Sequence, residues 1–212
     1  REVSAALFET VENWAREKGM KEVHGPLGFC DLDREGMLVE GFDKRSMFIT
    51  YYNHPYYNEH LQALGYAKDT DWVENLIEIP PADSENAQKL RKLSQWLLKR
   101  GSYHKADISS KSQITPRHIE QVFHLVNKAY APLYGVVALS DEQVRRYARK
   151  FLPMVHPDYL CLVMNEQEEL VAFGVCVPSM ANALKRSRGR LFPTGWFHVL
   201  RSLRRNDTID LL

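Results

Sequence analysis

Two short segments gather the side chains best suited to move protons. Glu40 and Asp43 flank Gly41-Phe42 in a stretch without helical or strand periodicity, and Asn53, His54, Tyr56 and Tyr57 crowd a turn around Pro55. Carboxylate, imidazole and phenol groups this close together are the materials of general acid–base chemistry. The competing reading is structural: Glu40 and Asp43 as solvated loop acids, Pro55 and the tyrosines as a locked turn at the edge of a core. A second candidate is Ala129-Tyr130-Ala131-Pro132-Leu133-Tyr134-Gly135, whose composition suits either a substrate-binding lid or an apolar loop that caps the core. A third feature is charge. Between Pro178 and Asn206 there are seven basic residues and no acid, although the whole chain is balanced at +1. That segment suits a solvated helix face first, a phosphate or acidic partner second and nucleic acid last, because no nucleic-acid motif accompanies it.

Other chemistries find no support. The eight histidines lack metal-ligand spacing, so no metal is expected. There is no Gly-x-Ser-x-Gly elbow, no cysteine at a helix start and no glycine-rich phosphate loop, which argues against nucleophilic hydrolases, kinases and dinucleotide enzymes. The 212 residues suffice for one large or two small domains with an apolar core. Cys30, Cys161 and Cys176, odd in number and widely spaced, with Cys161 and Cys176 set between apolar neighbours, fit reduced thiols and a cytoplasmic setting. No apolar run approaches the ~20 residues that span a bilayer and no secretory signal opens the chain, so no membrane partner is expected. The ends, Arg1 and Leu211-Leu212, read as those of a fragment.

The elements that would position these groups follow from periodicity and punctuation. Residues 4–18 place Leu7, Val11, Trp14 and Ala15 on one helical face, closed by Gly19. Residues 21–24 read as a strand, 56–64 as a helix closed by Gly65, and 66–79 as a strand pair or one bent strand stopped by Pro80-Pro81. Ser84 caps a helix with Ala87, Leu90, Leu93 and Leu97 on one face, and a strand follows over 102–108. The serine-rich stretch 109–113 is the expected boundary between two halves, 1–110 and 111–212. Thr115-Pro116 opens the clearest helix, with Ile119, Val122, Phe123, Val126 and Tyr130 in a stripe. Ser140 and Gln143 form a capping box before Val144, Tyr147, Ala148 and Phe151. Strands at 159–164 and 170–177 flank the turn Asn165-Glu166-Gln167-Glu168, with Gly174 marking a bulge or close approach. Helices at 179–185 and 196–203 and a final strand at 208–212 complete a mixed α/β (α+β) chain.

Two of these stretches carry a resemblance. Leu7 to Pro26 followed by Asn53 to Lys68, with Asn-His-Pro-Tyr-Tyr and Leu64-Gly65-Tyr66, is similar to the second half of a GNAT (GCN5-related N-acetyltransferase) domain, where a helix ending in a Leu-Gly-aromatic turn lies beside acyl-CoA. Thr115 to Val177, two capped helices and a hairpin, looks like the first half of another. With Gly25-Pro26-Leu27-Gly28-Phe29, Leu38-Val39-Glu40-Gly41-Phe42-Asp43 and Gly189-Arg190-Leu191-Phe192-Pro193, the chain resembles bacterial proteins built from two GNAT-like repeats.

The resemblance implies a GNAT-like fold of two partial repeats and transfer of an acetyl or other acyl group from acyl-CoA to a small-molecule amine, with a homodimer allowed for. It makes Glu40 the candidate base, and Tyr57 a substitute for the tyrosine that protonates the leaving thiolate, whose own position is Leu61 here. Asp43, Asn53, His54, Tyr56, Tyr130 and Tyr134 become candidate substrate-binding residues. The Arg/Gln-x-x-Gly-x-Gly/Ala loop that would hold the coenzyme diphosphate does not occur, so the chain alone is expected to be inactive. The alternative is a non-catalytic GNAT-like module that binds a ligand or partner.

Overall fold

The computed structural model describes residues 1–28, 33–47 and 50–211, so Phe29, Cys30 and Leu212, together with the side chain of Phe151, lie outside the described residues. The chain is mixed α/β with a small antiparallel four-stranded sheet. It divides into two compact units, Arg1–Val73 and Glu74–Leu212. The segment 109–113 therefore falls inside the second unit. Pairing of His104 and Lys105 with Met164 and Val163 carries the chain across it, and local composition cannot reveal a partner sixty residues away.

The first unit is built on two helices, α1 (Glu2–Glu17) and α2 (Tyr56–Ala63). Both close through a glycine in the left-handed region, Gly19 at φ +71° and Gly65 at φ +87°. The Tyr66 amide then donates back to the Leu61 carbonyl at 3.0 Å, which turns Tyr66 towards α1, where its ring lies 5.0 Å from that of Phe8. The expected strands at 21–24 and 66–79 do not form ladders among the described residues. Alternation favours an extended chain, but a strand also requires a neighbour for its N–H and C=O groups. Trp72, Leu76 and Ile79 stay exposed. So does most of the α1 stripe, and Ala15 is the buried apolar residue of this unit among those described.

The second unit holds the sheet and the core. Ser84 caps α3 (Glu85–Arg100) by accepting the Ala87 amide at 3.2 Å, yet Leu90, Leu93, Trp96 and Leu97 remain half exposed or more. The expected strand at 102–108 contracts to β1 (His104–Lys105). Thr115 caps α4 (Pro116–Tyr130), and Ser140 with Gln143 forms the capping box of α5 (Asp141–Phe151). Strands β2 (Leu160–Met164) and β3 (Leu170–Pro178) make the hairpin, whose turn is pinned by Asn165 Oδ1 accepting the amides of Gln167 and Glu169. After α6 (Ala181–Ser187) and α7 (Gly195–Arg204), β4 (Ile209–Leu211) pairs with β3, giving the order β1-β2-β3-β4. The bulge lies between Val163 and Met164, not at Gly174, where an added Cβ would meet open space. Phe123, Val126, Tyr147, Leu162, Met164 and Val177 are buried between α4, α5 and the sheet. Burying each such side chain contributes about 1.5–3 kcal/mol, which is why this half is the better consolidated.

Candidate functional site

The residues selected from sequence are only partly brought together. Asn53 is committed to structure: its Oδ1 accepts the Leu38 amide at 2.7 Å and its Nδ2 donates to the Leu38 carbonyl at 3.1 Å. That clamp fastens the loop carrying Glu40 and Asp43 to the turn before α2, reinforced by Tyr52 Oη donating to Phe42 O at 2.9 Å. Asn53 thus anchors the loop. Glu40 and Asp43 are exposed, and Asp43 lies beside Lys44 at 3.4 Å. His54, Tyr56, Tyr57 and His60 form an aromatic run with centroid separations of 5.0–5.7 Å. The Tyr57 hydroxyl has no hydrogen-bond partner among the described residues and its ring is 47% exposed. Tyr130 is half-buried and Tyr134 exposed, both in the second unit.

The phenol held in a cleft is Tyr66. A cavity of about 250 Å³ runs between the end of α1 and the Leu64-Gly65-Tyr66 turn, with Ala15, Met20, Val23 and Leu64 as apolar wall and Glu12, Arg16, Lys21 and Glu22 as polar rim. Tyr66 Oη donates to Glu12 Oε1 at 3.0 Å, and Glu12 Oε2 receives Arg16 Nη2 at 2.8 Å. Burial first, then the hydrogen bond to Glu12, pushes the Tyr66 pKa up, so the phenol keeps its proton at neutral pH and serves as a donor. Beside the rim, His24 bonds Glu22 through Nε2 and Asp69 through Nδ1, each at 3.0 Å. The two acids, Glu22 ahead of Asp69, raise its pKa. The cleft therefore combines an apolar wall with fixed charges and a phenolic proton donor. The pairing of Tyr66 with Glu12 spans 54 residues and had no local signal beyond the glycine turn.

In the second unit the buried titratable group is Asp210, on β4. It is 5% exposed while its neighbours Ile209 and Leu211 face outward, and its Oδ2 has no hydrogen-bond partner among the described residues. Burial raises its pKa, and a hydrogen bond from Ser179 opposes this. An acid between two apolar residues of a strand was the available signal, but which face it took depended on the pairing of Val177 with Asp210. Among the described residues no group of three or more His, Cys, Asp or Glu side chains is placed to hold a metal ion. None of the helices is long and apolar enough to cross a membrane among those residues. Cys161 and Cys176 are free, and burial raises the Cys176 thiol.

The chain is 25% identical over 206 residues, 94% of its length, to Protein YghO of Escherichia coli (strain K12). It is also 25% identical over 194 residues, 92% of its length, to the bacterial ceramide synthase of Caulobacter vibrioides (strain NA1000 / CB15N). The chain spans about half the length of these curated relatives, 49% of each. No protein-family description matches it, and no solved structure does.

Proposed function

We propose that the whole protein forms an amide by moving an acyl group from an acyl-CoA thioester to the amine of a long-chain, amphiphilic acceptor, on a GNAT-like scaffold. The observation that carries this reading is the match to a ceramide synthase along 92% of the chain, since a ceramide is the amide of a fatty acid and a long-chain amino alcohol. The sequence resemblance to GNAT acyltransferases implies the same bond change. In it the neutral amine nitrogen attacks the thioester carbonyl, the carbon–sulfur bond breaks, the nitrogen gives up a proton and the thiolate takes one.

Tyr66 is the group we assign to protonate the thiolate, in place of Tyr57. It stands in the Leu-Gly-aromatic turn, it is protonated at neutral pH and it borders a small cleft with an apolar wall and a charged rim. No Arg/Gln-x-x-Gly-x-Gly/Ala loop occurs in the 212 residues, so the proposal places no diphosphate contact on them.

The test is to incubate the whole protein with palmitoyl-CoA and sphinganine and to follow free thiol and the N-acyl product by mass spectrometry. The reading requires stoichiometric appearance of both, with Tyr66→Phe reducing kcat by about 10²-fold or more, the usual contribution of a positioned proton donor. Thioester and amine binding without any product would favour the non-catalytic module.

A further inference from the structure

A second cavity, of about 490 Å³, opens between α6 and α7 and is lined by Asn182, Arg186, His198, Arg201, Arg205 and Asp207, with Ala183 and Ser202 at its floor. Three guanidiniums converge on it, and among the described residues Arg186, Arg201 and Arg205 are in no ion pair. A cation in the last turn of a helix is favoured by the helix dipole, which accounts for Arg186 on α6 and Arg201 on α7 taken singly. It does not account for their convergence with Arg205 on one concavity. Like charges gathered there repel one another unless an anion joins them.

We infer that the α6–α7 cleft is a binding site for a phosphomonoester carried by a small molecule. Charge selects the group. With the histidine left out of the count, three arginines and Asp207 leave two positive charges, which match a phosphate dianion better than a carboxylate, and planar guanidiniums grip phosphate oxygens in pairs. Size selects the rest: about 490 Å³ falls in the range of roughly 300–1,000 Å³ typical of small-molecule pockets, so the cleft has room for a body beyond the phosphate.

The walls are held in place from beneath. Asn206 Nδ2 donates to Ser179 O, Asn206 Oδ1 accepts the Thr208 amide at 3.2 Å, and Ser179 N donates to Thr208 O at 3.0 Å, fixing the exit of α7 against the entry of α6. At the other end Gly195 is packed so closely on the Arg190 carbonyl that an added Cβ would lie 1.8 Å from its oxygen, which sets the angle at which α7 starts. None of these contacts consumes a guanidinium. The basic segment noted in the sequence thus has a defined concave face, and the site stands independently of the acyl-transfer reading.

The experiment is calorimetric titration of the intact chain at low ionic strength with inorganic phosphate, AMP, glucose 6-phosphate and, as the phosphate-free control, adenosine. The proposal expects AMP or glucose 6-phosphate to bind and adenosine not to. It also expects the Arg201→Gln/Arg205→Gln variant to bind at least tenfold more weakly, with an unchanged melting temperature because both side chains are exposed. Arg186→Gln, on the facing helix, is expected to weaken binding in the same sense. The AMP and glucose 6-phosphate arms identify the body attached to the phosphate. Equal binding of AMP and adenosine overturns the proposal. So does equal binding by wild type and the double variant, binding of inorganic phosphate alone, or affinity confined to oligonucleotides with a steep salt dependence.

Discussion

The loop that carries Tyr134 is held at its far end by one side chain, and removing it gives a sharp test of the second unit. Asn127 on α4 donates from Nδ2 to the Leu139 carbonyl at 3.0 Å and accepts the Leu139 amide on Oδ1 at 2.8 Å. Leu139 is 6% exposed, so neither backbone group can turn to water when the amide is cut away. Each buried group left unsatisfied costs about 1–3 kcal/mol, and with partial hydration in the vacated space Asn127→Ala is expected to lose about 2–4 kcal/mol in all. At roughly 3 °C per kcal/mol for a unit of this size, the melting temperature falls by about 6–12 °C. Asn127→Asp keeps the acceptor but sets a carboxylate oxygen against the Leu139 carbonyl, so it loses at least half as much at pH 7. The assay combines thermal unfolding followed by circular dichroism with amide hydrogen exchange at Leu139, which reads the clamp locally and does not depend on the two units unfolding together. A melting temperature within 1 °C of wild type and a Leu139 amide still protected in Asn127→Ala would refute the reasoning.

Four further outcomes follow from particular contacts. Gly174→Ala is expected to stabilise by about 0.5–1 kcal/mol in urea unfolding, since a strand glycine with open space above it carries only an entropic cost. Gly195→Ala, by contrast, meets the Arg190 carbonyl and is expected to lower the unfolding midpoint or abolish folding. Asp210 has a pKa raised by burial, so the folded state disfavours its charge: wild type is relatively most stable below the ordinary aspartate pKa of about 3.9 and loses stability as pH rises towards the raised value. Asp210→Asn removes that dependence, so its unfolding free energy relative to wild type should climb as pH rises above about 4, and a pH-independent difference would contradict the burial. Glu12→Gln, which weakens the acceptor for the Tyr66 phenol, should bring the tyrosine ionisation observed at 295 nm to lower pH, because the carboxylate is one of the causes of the raised value.

What the sequence carried locally is what formed as expected. Thr115-Pro116, the Ser140–Gln143 pair and Asn165 each act within four residues, and α4, α5 and the hairpin stand where their caps put them. The segments 21–24 and 66–79 failed as strands because an extended chain needs a ladder partner, which alternation does not specify. The site shows the same division. Composition drew attention to Tyr57, but the Gly65 turn, by sending the Tyr66 amide back to Leu61, is what places a phenol against Glu12. The clamp of Asn53 on Leu38, fifteen residues earlier, has no local sequence signal. The burial of Asp210 has no deciding local signal, because the facing of a three-residue strand is decided by its pairing with β3. The basic run between 178 and 206 was visible as charge, while its concave form depends on the packing of α6 against α7.

The reading as an amide-forming acyltransferase is tested most directly by supplying the whole protein with isotopically labelled palmitoyl-CoA and sphinganine and weighing the lipid product. The account predicts labelled N-palmitoyl sphinganine appearing in step with free coenzyme A thiol, with the rate cut about a hundredfold or more by Tyr66→Phe. Thiol release without labelled amide, or amide formed at the same rate by the Tyr66→Phe variant, would contradict it.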